Sequence, residues 1–107
     1  MTDFEDRRRA EEAKAALDHE TAFRILARRN RLLGQWAAER MRLTPEETDA
    51  YAREVVHAEF DEGGDEAVIR KLLGDLTAAG VDASEGDLRI ALEEQAVIAR
   101  RHFMGEG

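Results

Sequence analysis

The stretch LARRNRLLGQWAAER, Leu26 to Arg40, decides the fold, because it combines helical spacing with residues that an ordinary surface helix avoids. On a wheel of roughly 100° per residue, one narrow strip is mostly small and contains Phe23, Ala27, Asn30, Gly34, Ala37 and Met41. Such a strip lets a second helix approach closely, which gives Gly34 a role despite its cost of roughly 1 kcal/mol relative to alanine. Asn30 can fix the register of that contact through a buried hydrogen bond.

The rest of this helix is divided between an apolar and a basic side. The apolar arc around the strip contains Ile25, Leu26, Leu32, Leu33, Trp36 and Leu43. Its width leaves two roles open for Trp36, which are core packing and contact with a partner. The opposite stripe contains Arg24, Arg28, Arg31, Gln35 and Arg42. This basic stripe is either solvated, facing the acidic later helices, or a docking face for an acidic protein or a nucleotide phosphate.

Helix-capping and helix-breaking residues divide the remainder of the chain into further helices. Thr44-Pro45-Glu46-Glu47 has the residue types of an N-cap, a first-turn proline and a capping-box glutamate. Gly63-Gly64, Gly80 and Ser84 mark later boundaries. The expected helices span about 19–42, 45–61, 65–79 and 85–103, and short loops between them favour an all-α four-helix bundle. Apolar residues recur three or four apart at Tyr51, Val55, Ala58, Val68, Ile69, Leu72, Leu73, Leu76, Leu88, Ala91, Leu92, Ala96 and Ala99.

Composition agrees with a single helical domain. The chain has 107 residues, of which 43% are hydrophobic and 37% charged, and it has no cysteine, which excludes disulfides and thiolate sites. No apolar run approaches the roughly 20 residues that span a bilayer, and the start MTDFEDRRR is charged where a signal peptide is apolar. We therefore expect a cytoplasmic protein without direct membrane insertion. The net charge of −8 argues against a nucleic-acid partner.

Residues 1–18 differ from the rest of the chain. Apart from Met1, Phe4 and Leu17 they are mostly alanine and charged residues, which bury too little apolar surface to offset the entropy of ordering. Alanine, arginine, glutamate and lysine are nevertheless good helix formers. We predict a flexible or helical N-terminal arm at 1–18 that orders on a receiving surface, attached to a four-helix bundle domain at 19–107.

The sequence offers little for catalysis or metal binding. His19, His57 and His102 fall on different elements, and Glu54-x-x-His57 is one part of a di-iron motif that needs a second copy. Gly63-Gly64 lacks the spacing and the lysine of a phosphate loop. No serine or histidine stands in a recognisable pair of nucleophile and base. We therefore predict that the protein is not an enzyme, has no metal and has no cofactor, with weak adenine-nucleotide binding as an alternative.

Several segments together carry a family resemblance: Ala27-Arg28-Arg29-Asn30-Arg31-Leu32-Leu33-Gly34-x-Trp36-Ala37-Ala38, Ala50-Tyr51-Ala52-x-Glu54-Val55-Val56, Phe60-x-Glu62, Arg70-Lys71 and Gly74-Asp75. In these positions, over nearly the whole chain, the sequence resembles the zeta subunit family of alphaproteobacteria. The resemblance implies a small four-helix protein that inhibits the F-type ATP synthase. It further implies that the N-terminal arm inserts as a helix into a catalytic interface between the large ATPase subunits.

The resemblance also suggests which residues bind the partner. Arm residues that match the family, together with residues of the first helix, form the expected partner-binding set: Phe4, Asp6, Arg7, Ala10, Glu12, Lys14, Arg28, Arg31 and Trp36. The expected partners are the catalytic subunits of the F-type ATP synthase, which would hold the protein at the cytoplasmic side of the inner membrane. When it is free, we expect the protein to be a monomer.

The arm departs from the family pattern at three positions. Glu11 and Ala15 stand where the family has aromatic residues, and Leu17 stands where it has a histidine. Two buried aromatic anchors contribute a few kcal/mol each in a groove. Two alternatives therefore accompany inhibition: a non-inhibitory structural subunit with a vestigial arm, and an adenine-nucleotide-binding helical module.

Overall fold

The computed structural model describes the backbone of residues 2–104 and the side chains of residues 7–9 and 18–104. Within this part of the chain lie helices α1 (Thr2–Arg40), α2 (Pro45–His57), α3 (Gly64–Ala78) and α4 (Glu85–Met104). A π-helical segment, Ala58–Gly63, joins α2 to α3. The predicted all-α class is confirmed, and the four described helices agree with a bundle.

Helix α1 combines the first bundle helix with the N-terminal arm, which the sequence predicted to be flexible or helical. Its 39 residues begin at Thr2, whereas the first bundle helix was expected to begin near residue 19. The arm and this bundle helix therefore form one continuous helix about 58 Å long. No glycine or proline interrupts residues 2–33, and the alanine, glutamate and arginine of this segment favour helix. The division into an arm and a bundle is therefore not marked by a break in secondary structure.

Two capping boxes begin α2 and α4. Thr44 Oγ1 accepts from the Glu47 backbone N–H at 3.2 Å, and the Glu47 carboxylate accepts from the Thr44 N–H at 2.8 Å. Ser84 and Asp87 repeat this pair, with both distances 3.1 Å. The hydrogen bonds to these N-cap residues lower the pKa of Glu47 and of Asp87. Both helix starts therefore lie where the sequence predicted them.

The core lies where the C-terminal half of α1 meets the other helices. The apolar stripes predicted for α2, α3 and α4 are buried, with Leu73 partly buried at their edge. The small strip on α1 is confirmed as a close contact, because a Cβ added to Gly34 would lie 2.7 Å from the Ala52 Cα. The C-terminal half of α1 and α2 are therefore packed backbone to backbone, as the glycine predicted.

A hydrogen bond and an ion pair join α2 to α3 at the edge of this core. The Tyr51 hydroxyl donates to Asp75 Oδ2 at 2.7 Å. The Lys71 ammonium lies 3.2 Å from the same carboxylate oxygen and 3.4 Å from Glu54 Oε2. The tyrosine ring thus lies in the core while its hydroxyl has a partner, as buried tyrosines require.

The sequence predicted that α2 continues to residue 61, but regular α geometry ends at His57. The following π-helical segment buries two successive residues, Ala58 and Glu59, whereas Phe60 is exposed. A wider turn changes which side chains face α1, and here it turns the Glu59 carboxylate inward. Glycines with positive φ, Gly63 at 136° and Gly64 at 74°, end the segment and redirect the chain into α3.

None of the helices in residues 2–104 combines the length and the apolar character that a bilayer crossing requires.

Candidate functional site

A buried ion-pair network joins α1 to the π-helical segment and to the start of α3. Arg29 Nη2 donates to Glu59 Oε1 at 2.6 Å and to Asp65 Oδ1 at 2.7 Å. Asn30 accepts at Oδ1 from the same Nη2 at 2.8 Å and from Arg29 Nε at 3.1 Å. Its Nδ2 donates to Glu59 Oε1 at 3.0 Å. We call these four residues the Arg29 cluster.

The Arg29 cluster is buried on one side and open on the other. Relative exposure is 7% for Arg29, 0% for Asn30 and 9% for Glu59, whereas the Asp65 side chain is 49% exposed. Burial, with the Asp65 carboxyl close by, raises the pKa of Glu59. The hydrogen bond from Arg29 lowers the pKa of Asp65. The exposed Asp65 carboxylate therefore stays ionised to a lower pH than the buried Glu59 carboxylate.

A groove lies on the adjoining face of α1, between α1, α2 and the C-terminal end of α4. It has a volume of about 460 Å³ and opens to solvent. Its described lining contains no carboxylate, and its cationic side chains are Arg24, Arg28, Arg31 and Arg53. Alanine and valine side chains and the rings of Phe23 and Phe103 supply apolar surface between them. We call this surface the Arg28 groove.

The arginines of the Arg28 groove have few partners. Arg24 pairs with Glu20 one turn earlier on α1, at 2.6 Å. Within residues 18–104, no ion pair holds Arg28, Arg31 or Arg53. The Arg28 Nε atom is buried and has no hydrogen-bond partner among the described residues. A chain with 24 acidic and 16 basic residues thus leaves three arginines of this groove without an ion pair within residues 18–104.

The structure brings only some of the predicted partner-binding residues together. Arg28 and Arg31 share the Arg28 groove. Trp36 packs against the core edge, with the Arg40 guanidinium 3.9 Å from its ring centroid. It lines a second depression beside the α3–α4 loop, which shares no residue with the Arg28 groove. A single site made of the arginine stripe and Trp36 is therefore not formed.

The arm residues of the predicted set lie on a helical backbone, and one of their side chains is described. Arg7 is exposed, as are Arg8 and Arg9 beside it. The side chains of five predicted residues lie outside the described part of the chain: Phe4, Asp6, Ala10, Glu12 and Lys14.

The Arg29 cluster and half of the Arg28 groove are not among the residues predicted from the sequence. The buried hydrogen bond predicted for Asn30 is confirmed. The position of Arg29 beside the small strip of α1 is the one signal in the sequence that it approaches another element. Arg53 and Phe103 join the groove through tertiary packing of α2 and α4, which spacing within α1 cannot indicate.

A possible metal motif, Glu54-x-x-His57, is arranged differently from a metal site. His57 Nδ1 lies 3.2 Å from Asp61 Oδ2, one turn later. In the part of the chain with described side chains, no three histidine, aspartate or glutamate residues are grouped to hold a metal ion.

One of the comparisons with known proteins identifies a family. The family model described as ATPase inhibitor subunit zeta matches residues 1–102. A protein whose structure was solved by solution NMR is 41% identical in sequence, with a TM-score of 0.67. The alignment covers 79% of this chain and 96% of that one. A search of curated protein sequences finds no match.

Proposed function

Because this chain belongs to the ATPase inhibitor subunit zeta family, we propose that it inhibits ATP hydrolysis by the F-type ATP synthase through its N-terminal arm. In this proposal the arm, residues 1–18, inserts as a helix into an interface between catalytic subunits and blocks rotation in the hydrolytic direction. The protein is then a non-catalytic partner of the synthase, held at the cytoplasmic face of the inner membrane.

The shape of α1 is the observation that carries this proposal. Its C-terminal half is built into the bundle, and Phe23 stacks on Phe60 with ring centroids 4.5 Å apart. Toward the N-terminus the helix continues to Thr2, and the described side chains at 7–9 and 18–20 are exposed. A helix whose described N-terminal side chains are exposed, and whose C-terminal half is packed, can enter a partner while the bundle stays outside. The bundle then anchors the inserted arm.

A helical arm also favours binding energetically. A segment that is already helical loses less conformational entropy on binding than a fully disordered one. The described side chains of the arm are nevertheless exposed, and helices without tertiary packing are only marginally stable in water. Insertion into a partner would supply the missing contacts, with Phe4, Arg7 and Lys14 as the proposed contact residues.

The departures at Glu11, Ala15 and Leu17 predict weaker inhibition than in a relative with aromatic anchors. They favour, as a second candidate, a structural subunit that binds the synthase without inhibiting it.

One assay tests the two candidates together. The cognate soluble ATPase is titrated with the full chain and with a variant lacking residues 1–17, and both hydrolysis and binding are measured. We expect the full chain to suppress hydrolysis and the shortened variant to leave it unchanged. Binding of the full chain without loss of hydrolysis would support the structural role. No effect on hydrolysis and no binding at saturating concentration would refute both candidates.

The shortened variant needs a folding control. The buried residues of the described part begin at Arg29, so removing residues 1–17 leaves the core contacts in place. Circular dichroism and thermal unfolding of the variant should show a bundle with an unchanged Tm and fewer helical residues.

A further inference from the structure

We propose that the Arg28 groove is a docking site for an acidic amphipathic helix of the partner protein, separate from the site that receives the arm. The choice of the F-type ATPase as the protein that carries this helix rests on the proposed function above. The chemistry of the helix, with carboxylates beside apolar side chains, follows from the groove itself.

The unpaired arginines determine the charge of the occupant. Arg28 and Arg31 lie on α1, and Arg53 faces them from α2. Like charges on one surface repel each other, and a buried guanidinium nitrogen without an acceptor costs free energy. Carboxylates from a partner relieve the repulsion among the accessible guanidinium groups through charge-assisted hydrogen bonds. The described lining of the groove supplies no carboxylate of its own.

The apolar lining determines the second property of the occupant. Phe23 is 55% exposed and Phe103 is 37% exposed, so both rings present apolar surface to solvent. Ala27, a small and half-buried side chain, also lines the groove. An occupant with an apolar face therefore buries surface that the free protein leaves in water.

The spread of the charges distinguishes a helix from a small anion. The arginines without an ion pair lie on two helices, with Arg28 and Arg31 one turn apart on α1 and Arg53 on α2. Small-molecule sites place a few polar groups so that they converge on one ligand group. Cations distributed over two helices instead match carboxylates on successive turns of a partner helix.

Substitution of the groove arginines tests this proposal on the full chain. The groove variant carries Arg28→Gln, Arg31→Gln and Arg53→Gln. The matched control carries Arg70→Gln, Arg100→Gln and Arg101→Gln, which removes the same charge from exposed arginines that hold no ion pair within residues 18–104 and do not line the groove. Binding to the cognate soluble ATPase is measured by fluorescence anisotropy at several salt concentrations, with hydrolysis followed in parallel.

We expect the groove variant to raise the Kd about tenfold or more and to bind with weaker salt dependence than the wild type. The control should bind with a Kd close to that of the wild type. Equal losses in both variants would assign the effect to net charge and overturn the proposal. An unchanged Kd in the groove variant would overturn it as well.

The outcomes for docking and for inhibition can be told apart. Binding that depends on the groove without suppression of hydrolysis would sustain the docking site and refute inhibition. Suppression of hydrolysis with equal affinity in the groove and control variants would sustain inhibition and refute the docking site. Titration of the isolated protein with millimolar ATP is a further control, since the phosphates of ATP share the charge of the proposed helix but not its apolar face. Saturable ATP binding that is present in the wild type and lost in the groove variant would assign a nucleotide site and overturn the proposal.

Discussion

Arg28 and Arg29 are neighbours in the chain, but their guanidinium groups lie in opposite electrostatic surroundings. Arg29 donates to Glu59 and Asp65 and is held in place by Asn30. Arg28 faces a groove whose other cations are arginines, and its Nε has no hydrogen-bond partner in the described structure. A rotation of about 100° between successive helical residues is enough to separate these two surfaces.

The difference teaches how one helix can serve both folding and recognition. A buried charge that is fully hydrogen-bonded fixes the register of the elements around it. In contrast, an unpaired charge at a groove adds little to folding and stays available to a partner. The Arg29 cluster therefore joins α1 to the π-helical segment and to α3, whereas the Arg28 groove is the surface that we propose for an acidic partner.

The largest effect in this comparison is expected from Arg29→Met. This substitution leaves Glu59 buried without its cation and removes the donor to Asp65, which costs about 3 to 5 kcal/mol when a buried pair is broken. Urea unfolding at neutral pH measures the loss, and Arg70→Met, an exposed arginine without an ion pair in residues 18–104, is the control. A loss no larger than that of the control would show that the cluster does not stabilise the fold.

A double substitution sharpens the same result. Arg29→Met with Glu59→Leu removes both charges and replaces them with apolar groups, so it should recover part of the lost stability. The difference between the double variant and the sum of the two single variants gives their interaction energy. Strict additivity would contradict the pairing that the 2.6 Å contact indicates.

A smaller effect concerns the pH dependence of the Arg29 cluster. The pKa of Glu59 is raised above its ordinary value of 4.5, chiefly by burial. The folded chain therefore binds this proton more readily than the unfolded chain, and the stability that Glu59 contributes below pH 4.5 is lost as the pH rises through the folded pKa. The pH dependence that Asp65 contributes has the opposite sign. Its pKa is lowered in the folded chain, so the stability that it contributes is lost as the pH falls through that pKa.

Glu59→Gln isolates the first of these two effects, because the amide keeps an oxygen acceptor for Arg29 but cannot ionise. We expect the free energy of unfolding of the variant, relative to wild type, to increase between pH 4 and neutral pH. Urea titrations across this range measure it. Asp65→Asn should show the opposite trend in acid. A constant difference between Glu59→Gln and wild type would contradict the raised pKa.

Most of the bundle could be predicted from the sequence, because its signals are local. Capping boxes connect residues three apart, as at Thr44 and Glu47, and the apolar stripes recur at three or four residues. Gly34 predicted the close contact for the same reason, since a helix interior has little other use for glycine. These parts depend on short spacings that a single sequence displays directly.

The Arg29 cluster could not be predicted, because its partners are distant in the chain. Glu59 lies 30 residues after Arg29 and Asp65 lies 36 residues after it. Glu59 also turns inward through a π-helical segment, whereas the apolar pattern of α2 predicted an ordinary helix there. The Arg28 groove was half predicted: the spacing of Arg28 and Arg31 placed them on one face, but the contributions of α2 and α4 arise only from packing.

The smallest expected effect is on the other side of the comparison, at Arg28. Arg28→Met removes a guanidinium that has no ion pair within residues 18–104 and whose Nε lacks a hydrogen-bond partner there. Its loss should therefore change the free energy of unfolding by no more than about 0.5 kcal/mol, and methionine keeps the apolar contacts of the stem. The measurement is urea unfolding beside Arg29→Met. If Arg28→Met lost as much stability as Arg29→Met, Arg28 would belong to the fold rather than to recognition, and the distinction between these neighbours would fail. If Arg28→Met gained stability while losing affinity for the ATPase, Arg28 would be shown to serve recognition while destabilising the fold.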